Sequence, residues 1–293
     1  MKNNVLILIL IAAALLSCNN DLELAPEDQS TQDVAFSNET LARGVLMGAY
    51  SAAQQDDVLN GTPQLMGDWQ SDNVDFVGSF PTFNDIKNYT ILADNVSINA
   101  VWDDSYETIG TANLVIKNVP NVDDPDFTPE ERANVIAQAK FLRALVYFNI
   151  SNWWSQPLQV LDGGNNLSVP LVVEPFEGTV EYPSRATLSQ VQAQIEQDLL
   201  EAIDDLDDSD RSLATQGAAQ ALLARLYLYQ ERWSEAAELA DQVISKSEYE
   251  LASDYTFYDT LSSEHIFTLV NNADDGQDSG QGFSGLTNPT PEG

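Results

Sequence analysis

Apolar residues in this chain recur mainly at intervals of three and four, the spacing that gathers side chains on one face of a helix. Ser37 can cap a first helix in which Leu41, Val45, Gly48, Ala49 and Ala52 share a face. From Asp56 to Asn95 the period disappears and Asp, Asn, Gly, Pro and aromatic residues take over, so this stretch reads as long loops with short extended pieces. Helical spacing returns from about Asn99 to Asn118 through Trp102, Tyr106, Ile109, Asn113 and Ile116, and Pro120 ends it. Thr128-Pro129-Glu130-Glu131 puts Thr at the N-cap, Pro at the first helical position and Glu at the third. That capping box predicts a helix over about 129–150. Val135, Ala139, Leu142, Val146 and Ile150 make one apolar face of it, and Phe141, Leu145 and Phe148 another. The helix is therefore expected to be buried on more than one side.

A loop-rich insertion with Gly163, Gly164, Pro170 and Pro175 follows. Thr187 and Gln190 form a second capping box at the head of an amphipathic helix over about 187–206, marked by Leu188, Val191, Ile195, Leu199, Ala202 and Leu206. Asp204, Asp205, Asp207, Asp208 and Asp210 crowd its C-terminus against the helix dipole, which predicts fraying into a solvated turn. Over about 215–246, Leu223, Ala224, Tyr227, Trp233, Ala236, Ala240 and Val243 match the small and large positions of a tetratricopeptide helix pair. One such pair cannot cover its own faces, so the helices at 129–150 and 187–206 are its natural neighbours. The fold class expected is mostly α, with tetratricopeptide-like helix pairs carrying long irregular loops.

The N-terminus departs from this pattern. Lys2 precedes an unbroken apolar run from Val5 to Leu16 that stops at Ser17-Cys18, which reads residues 1–17 as a signal peptide. The run is too short to span a bilayer, and no later segment qualifies as a span. Leu15-Leu16-Ser17-Cys18 resembles a lipobox, in which the Cys thiol is acylated and becomes the new N-terminus, so Cys18 is the candidate lipidation site; the plain alternative is an ordinary signal peptide. Residues 18–35 are polar and acidic and read as a lipidated N-terminus and flexible tether, leaving 36–293 as the folded body.

Charge narrows the partners. The chain has 12 basic and 46 acidic residues and a formal charge of −34, and Ser247 to Gly293 holds no Lys or Arg. Such a chain avoids nucleic acid and anionic lipid. The acids read first as solubility and second as cation binding. Asp204–Asp210 and Asp274-Asp275-Gly276-Gln277-Asp278 offer hard oxygen ligands, yet neither has the spacing of an EF-hand loop.

Hydrolysis would need two carboxylates across a cleft with one pKa raised, and nothing in the sequence singles out such a pair. His265 sits in an apolar context that suits a core or interface histidine, and no phosphate loop or paired metal-ligand motif appears, so no cofactor is expected. Sugar binding needs flat aromatic faces flanked by amides and carboxylates. Asp68-Trp69-Gln70-Ser71-Asp72-Asn73, continuing to Phe76, Phe80 and Phe83, has that composition. Trp69, Asp72, Asn73 and Phe76 are the candidate ligand-binding residues; the competing reading makes the phenylalanines loop anchors and Trp69 equally core. Trp102 and Trp153-Trp154 read as packing residues, and Trp233 as a structural position of the helix pair.

The order of segments resembles the SusD/RagB family. The pieces are the lipobox; Gly48-Ala49-Tyr50 closing the first helix; Trp102 through Tyr106 to Ala112-Asn113; Ala139-Lys140-Phe141-Leu142-Arg143-Ala144 with Tyr147-Phe148; and Ala218-Ala219 through Leu222-Leu223-Ala224 to Tyr227-Leu228. Arg185-Ala186-Thr187 before Asp198-Leu199, and Ser263-Glu264-His265-Ile266-Phe267, are smaller echoes. Asp21 and Glu23, soon after Cys18, resemble the export signal of surface-exposed Bacteroidetes-type lipoproteins. The resemblance implies a non-enzymatic lipoprotein of the cell outer membrane, facing the exterior. It would capture an oligosaccharide or polysaccharide and deliver it to a SusC-like TonB-dependent transporter. The alternatives are a peptide-binding, RagB-like lipoprotein or a tetratricopeptide-type scaffold without sugar affinity. Family members are considerably longer, so the body is expected to be incomplete at its C-terminus.

Overall fold

The structure, a computed structural model, describes residues 31–71, 73–161, 165–255 and 261–271. Cys18 and the apolar run before it, Asp72, Gly163, Gly164 and the acids from Asp274 to Asp278 lie outside the described residues. The fold is mostly helical: α1 Gln32–Ala35, α2 Glu39–Ala53, α3 Thr62–Trp69, α4 Pro81–Lys87, α5 Val96–Asn118, α6 Pro129–Trp154, α7 Leu188–Ile203, α8 Gln216–Tyr229 and α9 Trp233–Ile244. Within the insertion between α6 and α7, β1 Leu167–Pro170 pairs antiparallel with β2 Arg185–Thr187, Leu167 opposite Thr187 and Pro170 opposite Arg185.

Local chemistry sets the long helices. Both capping boxes form. Glu131 N–H donates to Thr128 Oγ1 at 3.2 Å while Thr128 N–H donates to Glu131 Oε2 at 3.0 Å. Gln190 N–H and Thr187 Oγ1 lie 3.3 Å apart, with Thr187 N–H to Gln190 Oε1 at 2.9 Å. α6 continues past Ile150 to Trp154 and is buried on both expected faces, because α5, α7 and α2 all pack against it. α7 packs in turn on α8, and α8 on α9, giving successive layers of helices. Leu46, Ile109, Leu142, Tyr147, Ile150, Ile195, Leu199, Leu223 and Leu226 are among the fully buried side chains of the main core. Each such aliphatic residue contributes about 1.5–3 kcal/mol by leaving water.

Several readings need correction. The first long helix is capped by Asn38, whose Oδ1 accepts from Leu41 N–H at 3.0 Å, and its buried face is Ala42, Leu46, Ala49, Tyr50 and Ala53. The stripe through Leu41 and Val45 is the neighbouring one; alanines win the buried side because α2 lies close against α5 and α6. The folded body also begins before residue 36, since α1 packs on α2 and Gln32 Nε2 donates to Asn118 Oδ1 at 2.9 Å. Residues 56–95 are not all loop. α3 and α4 are helices of eight and seven residues, each with Pro in its first two positions, too short to display a period. Gly61 introduces α3 with φ 143°, a conformation open only to glycine.

α7 ends at Ile203 and the acids after it run through an exposed turn, as expected, with Asp208 the half-buried exception. Asp208 pairs with Lys246 and accepts from Gly217 N–H at 2.8 Å and Tyr249 OH at 2.6 Å. Burial opposes its charge, but these donors hold its carboxyl below the ordinary range. Trp233, expected at a structural position, is instead 61% exposed: α9 rests on α8 through Ala236 and Val243, which turns Trp233 and Ile244 outwards.

Candidate functional site

The residues that carried the family resemblance converge on a buried polar node. Arg143 of α6 grips Asp198 of α7 with two bonds, Nε to Oδ2 at 2.8 Å and Nη2 to Oδ1 at 2.6 Å, and its Nη1 reaches Asn113 Oδ1 of α5 at 2.7 Å. Three helices distant in sequence are thereby locked in one register. A bidentate guanidinium–carboxylate pair suits this geometry, because it satisfies both charges without water.

The same node fastens the strand exit. Residues 170–174, a strap leaving β1, receive Tyr106 OH on Pro170 O at 2.6 Å, Tyr147 OH on Val172 O at 2.9 Å and Arg143 Nη1 on Val173 O at 3.2 Å. Asn113 Nδ2 donates to Val172 O at 3.1 Å and Glu174 O at 3.3 Å, and Val172 N–H returns a bond to Tyr147 OH at 2.7 Å. Burial pushes both tyrosine hydroxyls up, so they remain neutral donors. Tyr50 works likewise: Ala214 N–H donates to its hydroxyl at 2.7 Å, and that hydroxyl donates to Gln138 Oε1 at 2.9 Å.

Beside this frame, α3 and α4 enclose a satellite core of Leu65, Met66, Trp69, Phe83, Ile86 and Val101, joined to the main core through Trp153 and Trp154. Trp69 ends α3 and is 5% exposed, with Phe76 edge-on at 5.3 Å and Phe83 tilted at 4.7 Å. That leaves no open indole face for a pyranose ring; packing holds Trp69 as the floor of the loop. Phe76 is half-buried and meets Phe83 at 5.5 Å, and its ring lies where a Cβ on Gly78 would be, 2.6 Å from Phe76 Cζ. Asn73 is exposed in a turn, its N–H donating to Ser71 Oγ at 3.1 Å. The structure thus brings Trp69, Asn73 and Phe76 into one short segment, in different roles; Asp72, between them in sequence, is not among the described residues.

Around the satellite core, residues 73–96 carry an exposed crest of which only the aromatic run was visible in the sequence. Val74, Val77, Phe80, Tyr89, Ile91, Leu92 and Val96 all stand in solvent, with Phe80 half exposed beside Phe83. Asn73, Asn88 and Thr90 lie exposed among them. Exposed apolar side chains concentrated in one stretch of a folded surface make it a candidate binding face. Phe80 was visible in the aromatic run, whereas Tyr89 and the aliphatics carried no signal until α4 placed them.

A cluster of acids flanks α3. Asp57 has its pKa raised, first by burial and then by Asp56. Asp104 of α5 is raised first by burial, then by Asp57, Glu107 and Asp103. A carboxyl with a folded pKa above its unfolded value destabilises the fold when ionised, a penalty present at neutral pH and relieved as pH falls through the folded value towards the ordinary value of an unfolded aspartate. Asp57→Asn is therefore expected to raise Tm at pH 7 by a few degrees, with the difference from wild type shrinking towards pH 4. A lower Tm for the variant at pH 7 would refute it. Among the described residues no three His, Cys, Asp or Glu side chains are grouped to hold a metal ion, and no helix is long and apolar enough to cross a membrane. His265 Nδ1 accepts from Ser262 N–H at 3.1 Å, a local structural bond.

Comparison with known proteins places this arrangement. The family model described as "Starch-binding associating with outer membrane" matches residues 22–228. The chain belongs to the SusD-like family. A SusD-like protein of Formosa agariphila is 22% identical over 91% of this chain and 50% of its own length, and another from the same organism is 26% identical over 84% and 46%. Among solved structures, a SusD superfamily protein of Bacteroides thetaiotaomicron superposes with a TM-score of 0.71 at 26% identity, covering 82% of this chain and 55% of that one. A laminarin-binding SusD-like protein superposes with a TM-score of 0.67 at 29% identity, covering 79% and 51%. This SusD-like chain spans about half the length of the curated relatives it matches. Tyr50, Asn113, Arg143, Tyr147 and Asp198, which lie in the segments that carry the resemblance, have architectural roles: they hold helices and strap together.

Proposed function

We propose that this chain is the glycan-capturing part of a surface lipoprotein that hands an oligosaccharide or polysaccharide to a SusC-like TonB-dependent transporter. The observation that carries the reading is the exposed crest of residues 73–96, apolar and aromatic side chains interleaved with amides, mounted on a SusD-like frame. A pyranose ring has an apolar face for such side chains and hydroxyls for such amides. Asn73 and Phe76 belong to the proposed face, with Trp69 packed beneath Phe76, and Asp72 is assigned to it from its place in the sequence alone. The starch named in the family description and the laminarin bound by one structural relative support the ligand class. Acylation at Cys18 would anchor the chain in the outer membrane, facing outwards, and the resemblance at Asp21 and Glu23 supports that placement. No part of this reading requires a reaction or a cofactor. A second reading, a scaffold or peptide-binding protein, is favoured by one observation, the outward Trp233 and Ile244 of α9.

The test is affinity electrophoresis of the chain from Asn19 onward in gels containing starch, laminarin, xylan, alginate or hyaluronan. Retardation by one polymer, relieved by the same sugar in solution, is the expected result. Uniform mobility in every gel would set glycan capture by this chain aside and leave the scaffold reading.

A further inference from the structure

The proposed face contains one side chain whose backbone is unfavourable. α4 closes in a turn where Thr90 N–H donates to Asp85 O at 2.9 Å and Tyr89 N–H to Ile86 O at 3.2 Å. In this motif the residue after the C-cap turns left-handed and is usually glycine. Here it is Tyr89, with φ 57°. Bulky residues seldom adopt that conformation, because their Cβ crowds the backbone, and such outliers gather where a side chain is needed for function. Glu231 takes the same place after α8 with φ 60°, but there the side chain is a carboxylate on the surface. What sets Tyr89 apart is its ring, which is 69% exposed while its hydroxyl donates to Gln70 O. The ring is thus fixed at both ends, across the turn that leads to Ser71 and Asn73. A platform already immobilised loses little conformational entropy when a flat partner stacks on it.

The charge around it selects the partner. Between Asp68 and Val96 the chain carries Asp68, Asp72, Asp75, Asp85 and Asp94 against one base, Lys87, and Lys87 is engaged by Asp75 and by Phe76 O at 3.0 Å. A uronic or sulfated polymer would meet like charge here.

We propose that Tyr89 is the stacking platform of this face and that its ligand is an uncharged pyranose polymer. The proposal rests on the glycan-capturing reading above. Wild type, Tyr89→Phe and Tyr89→Gly are compared by affinity electrophoresis against starch, laminarin and xylan as neutral probes and alginate and hyaluronan as anionic ones, with a thermal melt of each. A neutral polymer should retard wild type and Tyr89→Phe alike. Tyr89→Gly should bind roughly tenfold more weakly, with a Tm no lower than that of Tyr89→Phe, since glycine suits the left-handed turn. Undiminished binding by Tyr89→Gly overturns the platform. Equal loss in Tyr89→Phe overturns it too, by assigning Tyr89 to bracing the turn through its hydroxyl. Retardation by anionic polymers alone overturns the ligand class. Wild type passing every gel unretarded overturns the glycan reading itself, and this inference with it.

Discussion

Arg143→Leu is expected to destabilise the fold by about 3–5 kcal/mol, because it strands the carboxylate of Asp198, whose side chain is 1% exposed, inside the helix layers. It also releases Asn113 Oδ1 and Val173 O, each of which accepts from the same guanidinium nitrogen. At this chain length the loss corresponds to a fall in Tm on the order of 10 °C. Asp198→Leu alone should be comparably damaging, as it leaves the guanidinium buried without its partner. The double variant Arg143→Leu with Asp198→Leu should recover a large part of the loss, since a buried ion pair is costly to break yet replaceable by packed apolar groups. Circular-dichroism melts of the four proteins measure this directly. If Arg143→Leu shifted Tm by only a degree or two, the node would not be holding the three helices in register.

Trp69→Ala carries the second large effect, and its nature has changed with the structure. On sequence alone, removing this indole was the natural probe of sugar binding. Enclosed by Phe76 and Phe83, Trp69 instead fills the satellite core, and its truncation should cost about 3–5 kcal/mol in that cluster. The expected result is early proteolytic cleavage within residues 54–95 together with a lowered Tm, while the core around Leu142 and Leu199 melts later. Trp69→Phe, which keeps an aromatic ring in the cluster, should lose much less. A Trp69→Ala protein as protease-resistant as wild type would show that the indole is not packed as described.

These two residues also mark how far the sequence could be read. Thr128 and Thr187 announced their helices because a capping box is complete within four residues. The double-faced burial of α6 was legible because 26 residues give the apolar period many turns to repeat. α2 was misregistered by one position, since its small alanines compete poorly with Leu41 and Val45 in any hydrophobicity count, although close helix approach favours alanine. α3 and α4 span two turns each and show no period. The meeting of Asn113, Arg143 and Asp198 joins residues 30 and 55 positions apart, and nothing local encodes it. Tyr89 was invisible for a different reason: tyrosine gives no hint of a left-handed turn, so only the backbone discloses it. Half of the crest was therefore in view, as the aromatic run to Phe83, and the other half depended on the C-terminus of α4.

The strap at 170–174 is gripped almost wholly by its main chain. Tyr106, Asn113, Arg143 and Tyr147 bond to carbonyls and one amide, groups that any non-proline residue would offer in the same place. The letters written at Leu171, Val172 and Val173 are in that respect free. Substitution at Val172 or Val173 can therefore leave the grip on the helices intact, because the bonded groups do not depend on the side chains the strap carries there.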